Sequence, residues 1–217
     1  MNLVELVSPQ HTAVLTMEMQ EAVIGREALL PALAERADAC GLRDTVGRVC
    51  GAARVAGARV VHCTVETRPD GAGFRANTKI FGLTAKLRRE HGSTPTDVGQ
   101  PGAALVPELG VDERDIVVPR MHGMTPFTST SLDQILRNLD VRTVVATGVS
   151  VNLGVIGMSL SAVDLGYQVV LVRDAVTGVP AEYADAVIEN SLSYITTVVD
   201  ADELLDAWHL DERPAHT

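Results

Sequence analysis

The sequence predicts a three-layer α/β/α sandwich built on a six-stranded, mostly parallel sheet. Short apolar runs rich in β-branched residues recur along the chain. Segments with apolar residues at helical spacing lie between them, and the two kinds alternate strictly. Each parallel strand pair needs a crossover, and this alternation supplies one every time, so helices cover both sheet faces. All 217 residues read as one domain, 1–217, because no stretch between periodic segments is long or low in complexity enough for a linker.

TAVLTMEM (12–19) is the first strand, a buried run that opens onto a loop at Glu18 and Gln20. GLRDTVGRVCGAARVAG (41–57) places Leu42, Val46, Val49 and Ala53 on one helical face and stops at Gly57. The pattern continues with a strand over 58–65, a helix over 77–92, a strand over 115–119 and a helix over 128–140. A strand over 142–148, a helix over 151–166, a strand over 167–175 and a helix over 180–194 follow. The chain closes on a strand over 195–200 and a helix over 201–208. Ligands of such sheets sit outside the carboxyl ends of the strands. That rule directs attention to Glu18 and Gln20, to 62–66, to Arg120 and His122, and to 148–154.

Composition excludes several classes. The 46% apolar content suffices for a core without disulfides or a structural metal. A net charge of −10, with Lys79 and Lys86 the only lysines, argues against nucleic acid and against anionic membranes. No apolar run is long enough to span a bilayer, and MNLVELVSPQH lacks the basic start of a signal peptide, so the chain is expected to be cytoplasmic. Cys40, Cys50 and Cys63 form an odd set with no CxxC pair, which suits reduced thiols. GxGxxG, GxxxxGK[ST], GxSxG and HExxH are all missing, and His11, His62, His91, His122, His209 and His216 are scattered. No cofactor and no metal are expected.

AVLTMEMQ resembles the first strand of the isochorismatase-like hydrolases, whose usual ending is Asp-x-Gln. RTVVATGVSVNLGVIGMSLSAVDLGYQVVLVRDAV (142–176) resembles that family's strand, Gly-Val turn, helix and Gly-Tyr-x-Val strand. DIVVPRMHGMTPFTSTSLDQIL is similar to its third strand and lysine-bearing loop. The resemblance covers most of 12–200 and implies the α/β/α fold, a small-molecule substrate and a homodimer or larger homo-oligomer. It also implies a departure. Where the common amidohydrolase members carry aspartate, lysine and a nucleophilic cysteine, Glu18 takes the aspartate position and Gly154 the cysteine position. Arg120 stands nearest the lysine, with His122 its rival.

Glycine offers no nucleophile, so the thioester route is closed at 154. True isochorismatases resemble this chain in carrying glycine there, and they hydrolyse a vinyl ether without a covalent adduct. The expected activity is therefore cysteine-independent acid/base hydrolysis of a small, carboxylated metabolite, at a vinyl ether or a related C–O or C–N bond. Glu18 is the expected acid/base group. Arg120 suits either an anionic substrate or Glu18 itself, since guanidinium grips carboxylates in a fork. Gln20, His122, Ser150 and Asn152 are the candidate substrate contacts, the last two at a helix N-terminus. The competing expectation is a catalytically silent member that binds a ligand or a partner. Two further readings also stand: a structural one, with Gly154, Gly157 and Ser161 as a close-packing stripe, and a functional one, a cysteine amidohydrolase with Cys63 as a displaced nucleophile beside His62, set against Cys63 as an inert packing residue.

Overall fold

A computed structural model describes residues 2–211, with side chains through Trp208. His216 and the His209 side chain lie outside that range. The strands are β1 (Thr12–Met17), β2 (Arg59–Val65), β3 (Ile116–Arg120), β4 (Thr143–Val149), β5 (Gln168–Thr177) and β6 (Thr197–Val199). They form one sheet in the order β3-β2-β1-β4-β5-β6, and every pair is parallel. The expected sheet is thus present, and parallel throughout.

The helices are α1 (Leu3–Leu6), α2 (Glu21–Ile24), α3 (Pro31–Ala39), α4 (Leu42–Ala56), α5 (Lys79–His91), α6 (Leu132–Asn138), α7 (Ile156–Asp164), α8 (Ala181–Val187), α9 (Ser193–Ile195) and α10 (Ala201–Asp211). Alternation along β1 divides the core. Val14 joins Val46, Val49 and Ala53 of α4 and Trp208 of α10, whereas Ala13, Leu15 and Met17 join Leu132 and Leu136 of α6 and Met158 of α7. Every residue of β1 and β4 is buried, which explains why these strands read as continuous apolar runs.

Beyond shifts of a few residues at element ends, three segments differ in kind from the sequence reading. The expected helix 151–166 opens as a π-helical turn, Val151–Val155, in which Val155 N–H donates to Ser150 C=O (3.0 Å), before α7 begins. The helix expected over 180–194 is likewise broken by a π segment at Ile188–Leu192. The short helices α2 and α3 occupy 21–39, where no periodic run was read.

The strand order places β1 beside β4 although two strands intervene in sequence, so the connections leave this junction in opposite directions. That is the switch point where such sheets open a crevice. Gly148, at the end of β4, has φ +97°, and a Cβ there would stand 2.2 Å from the Met17 carbonyl oxygen. Only glycine allows β4 to approach β1 this closely. Gly148→Ala is expected to lose about 3 kcal/mol of stability, the upper range for overpacking, measured by denaturant unfolding.

On the α4 side, Thr16 Oγ1 meets His62 Nδ1 (2.8 Å), His62 Nε2 meets Asp115 (3.2 Å), and Arg54 grips Asp115 with Nε (3.1 Å) and Nη2 (2.7 Å). This hydroxyl–imidazole–carboxylate chain has the order of a hydrolytic triad, yet Thr16 and His62 are fully buried and neither lines the crevice. Burial pushes the His62 imidazole below its ordinary value of 6.5, against the pull of Asp115. A depressed folded-state value means the unfolded chain takes up the proton first. Stability is therefore full above pH 6.5 and falls as pH drops through the lower folded value. Denaturant midpoints at pH about 7.5 and 5.5 are expected to show this loss, and a His62→Gln variant should show a weaker one.

Candidate active site

The crevice at the β1–β4 junction holds a cavity of about 270 Å³. β1 ends at Met17, and Glu18 follows with φ +52°, a left-handed conformation uncommon outside glycine. Two backbone bonds hold it there: its N–H donates to Cys63 C=O (2.9 Å), and its C=O accepts from Gln20 N–H (2.8 Å). The reversal aims the carboxylate into the cavity, where it meets Arg120 Nη2 of β3. Arg120 is 2% exposed and Glu18 is 21% exposed. The guanidinium is completed by Gly123 C=O at Nε (2.9 Å) and Thr64 C=O at Nη1 (3.4 Å). Burial lowers the Arg120 pKa to about 10, which leaves it charged at neutral pH.

The opposite wall is the turn after β4. Ser150, Asn152, Leu153 and Gly154 line the cavity at the N-terminal end of the helical run starting at Val151. Ser150 Oγ donates to Asn152 Oδ1, and Asn152 Nδ2 donates to Val179 C=O (3.3 Å), so this polar pair is fastened to the loop after β5. A Cβ on Gly154 would lie 2.8 Å from Met17 Cε and 3.2 Å from Met17 Cγ. The Met17 side chain thus occupies the space that a residue-154 side chain would need.

The remaining expected residues are placed differently. Gln20 is fully buried and does not line the cavity. Its Oε1 accepts from Val65 N–H (2.7 Å), and its Nε2 donates to Val65 C=O (3.1 Å) and Ala103 C=O (2.8 Å). An amide so fully engaged by backbone serves as an anchor between β2 and the loop at 101–103, and the expectation of substrate contact does not hold for it. His122 also stands off the lining, with its ring centroid 4.8 Å from that of Phe81 and 5.8 Å from that of Phe74. Arg120, and not His122, reaches Glu18. Cys40, Cys50 and Cys63 all lie off the cavity wall. Cys63 is fully buried in the core, where burial pushes its thiol up to about 12. Among the described residues, no three His, Cys, Asp or Glu side chains gather as a metal ligand set.

Much of the lining escaped sequence reading. Ala22, Val23, Leu29, Leu30 and Leu33, from α2, α3 and the turn between them, form one wall, and Phe74 with Ile80, Phe81 and Leu83 of α5 forms another. Thr67 and Thr96 close it beneath. Thr67 Oγ1 donates to the buried Asp97 (2.6 Å), which Arg88 of α5 also grips (2.6 Å), tying that helix to the sheet end. The available signal was the amphipathic spacing of 77–92, which marked a helix without saying that its apolar face borders a cavity.

The isochorismatase domain model matches residues 12–203, which include every strand and the whole crevice. The chain belongs to the isochorismatase family. It is 31% identical over 122 residues to the Uncharacterized isochorismatase family protein YecD of Escherichia coli O157:H7, a match covering 52% of this chain and 63% of that one. With the Ureidoacrylate amidohydrolase RutB of Enterobacter sp. strain 638 it shares 26% identity over 89% of this chain and 88% of the relative. A further relative, the Uncharacterized isochorismatase family protein YwoC of Bacillus subtilis strain 168, is matched over only 45% of its length. The chain thus spans about half to two thirds of the first curated relatives it matches. Among solved structures, a cysteine hydrolase from Pseudomonas syringae pv. phaseolicola 1448A superposes with a TM-score of 0.79 over 95% of this chain and 96% of that one, at 20% identity. This likeness concerns the fold. Among the described residues, no helix is long and apolar enough to cross a membrane.

The contact between Met17 and position 154 is open to test. Gly154→Ala is expected to destabilise by about 1–3 kcal/mol through overpacking. Combined with Met17→Ala, it should cost at least about 1 kcal/mol less than the sum of the single changes in a double-mutant cycle, because the second change removes the obstructing atoms.

Proposed function

We propose that this isochorismatase-family chain is a hydrolase that adds water to a polar bond of a small substrate without a cysteine nucleophile. Glu18 moves the proton, and Arg120 positions Glu18. The observation that carries this reading is the presence of the paired Glu18 and Arg120 in the cavity that Ser150, Asn152 and Gly154 also line, with Met17 in the space of a residue-154 side chain. The buried, undissociated Cys63 thiol supports it further.

A guanidinium beside a carboxylate favours the charged form, which suits Glu18 to work first as a base. Water oxygen bonds to an electrophilic carbon while its proton passes to Glu18. The C–N or C–O bond then breaks, and Glu18 returns the proton to the leaving atom. An enol ether needs the proton at carbon first, and hence a protonated Glu18, so the ion pair favours an acyl-type C–N or C–O bond over a vinyl ether. The relationship to an amidohydrolase, RutB, points the same way. In this scheme the N–H groups at the helix start after Ser150 receive the negative charge that develops on the attacked carbonyl. Gly154 acts in this scheme by leaving the site open to water.

The ion pair also favours a second reading, a silent member that binds a ligand without turnover, since each charged group already satisfies the other. We take the chain to act in the cytoplasm as a homodimer or larger homo-oligomer, a reading supported by its acidic charge and by the family resemblance.

Turnover screened over amides, carbamoyl compounds and enol ethers separates the two readings. On any substrate found, Glu18→Gln should lower kcat/KM by about 10²–10⁴-fold. Arg120→Lys should lower it less and shift the acid limb of the pH profile. Full activity in Glu18→Gln would contradict the assignment, and thermal stabilisation by ligands with no turnover anywhere in the screen would favour the silent member.

A further inference from the structure

We propose that the cavity selects uncharged, largely apolar substrates, an aryl or alkyl body carrying one neutral polar bond, over carboxylated metabolites. The proposal rests on the reading of this cavity as the substrate site. It revises the carboxylated substrate expected from the presence of an arginine.

Two observations carry it. First, among the described residues Glu18 and Arg120 are the only charged ones lining the cavity, and they are bonded to each other, while Arg120 also donates to the Gly123 and Thr64 carbonyls. No described cation on the wall is left for a substrate carboxylate. Arg88, the basic residue behind the Thr67–Thr96 side, is held by Asp97 (2.6 Å) and Pro69 C=O (2.7 Å). A carboxylate entering here would either lie beside Glu18, where like charges repel, or displace Glu18 from Arg120 and strand it in an apolar space. It would also exchange its hydration for neutral donors of the turn at 150–154, with no free counter-charge on the described lining.

Second, α5 has no buried residue although Ile80, Phe81 and Leu83 form part of the lining. Facing residues from α2 and α3 include Val23, Leu30 and Leu33. Two apolar walls are thus held apart by about 270 Å³ of space, and tied in place by Thr78 capping α5 and by Arg88 on Asp97. An apolar occupant buries both walls at once and gains the hydrophobic stabilisation that the protein leaves unused there. Its single polar bond then falls between Glu18 and the Ser150–Asn152 turn, while Thr67, Thr84 and Thr96 add hydroxyls elsewhere on the lining.

The test compares 3-phenylpropanamide, neutral and aryl-bodied, with succinamate, which carries the same amide and a carboxylate, by calorimetric titration of the full chain. The expected result is binding of 3-phenylpropanamide at least about tenfold tighter, equivalent to about 1.4 kcal/mol. Leu83→Arg, a change at a residue already 39% exposed, should narrow or invert that ratio by supplying a free cation. Succinamate binding as tightly as or more tightly than 3-phenylpropanamide in the unaltered chain overturns the proposal, and so does a lack of detectable 3-phenylpropanamide binding. The outcome is separable from the catalytic reading. Succinamate preference with turnover lost in Glu18→Gln would remove the substrate class alone, while 3-phenylpropanamide preference with turnover intact in Glu18→Gln would remove the catalytic role alone.

Discussion

A guanidinium as deeply buried as that of Arg120 needs acceptors, and the groups that accept from it tie the sheet ends together. Arg120 ends β3, Glu18 follows β1, and β2 lies between them. Nη1 of Arg120 reaches over β2 to Thr64 C=O, Glu66 N–H donates to the Arg120 carbonyl (2.9 Å), and Glu18 N–H donates to Cys63 C=O. The ion pair therefore spans three strands at their carboxyl ends, beside the left-handed turn at Glu18 that backbone bonds hold. Removing one partner would leave a buried charge uncompensated, which is the costly way to break such a pair. The same arrangement leaves the apolar cavity with no net charge on its described lining.

Met17 connects this pair to the opposite wall. Its backbone faces Gly148 so closely that no side chain fits there, and its side chain takes the room beside Gly154. Met17, the residue before the acid/base candidate, and Gly154 are thus complementary in volume. A side chain at 154 would require Met17 to move.

The fold was legible because burial on both faces turns parallel strands into continuous apolar runs, and each helix between them shows its own period. What escaped were features set by tertiary contacts. The π turn at 151–155 has the same sequence signature as ordinary helix, and the short α2 and α3 have too few turns to show periodicity. At the site, Glu18, Arg120, Ser150, Asn152 and Gly154 were reachable because strand ends and the family pattern mark them. Gln20 carried the same positional signal yet is spent on backbone groups of Val65 and Ala103, contacts between segments far apart in sequence. His122 met a similar limit, since the aromatic neighbours its ring packs against come from another loop and from α5. The apolar walls were invisible for a different reason: an apolar helix face reads the same whether protein or empty space lies against it.

The central claim is that hydrolysis here proceeds by direct attack of water under the control of Glu18, with no covalent enzyme intermediate. Rapid acid quench during turnover, followed by intact-mass spectrometry of the full chain, tests it most directly. The account predicts a single unmodified protein mass at every time point through the first turnover. A transient mass increase matching the acyl part of the substrate, mapped to Cys63 or to any other side chain, would contradict it.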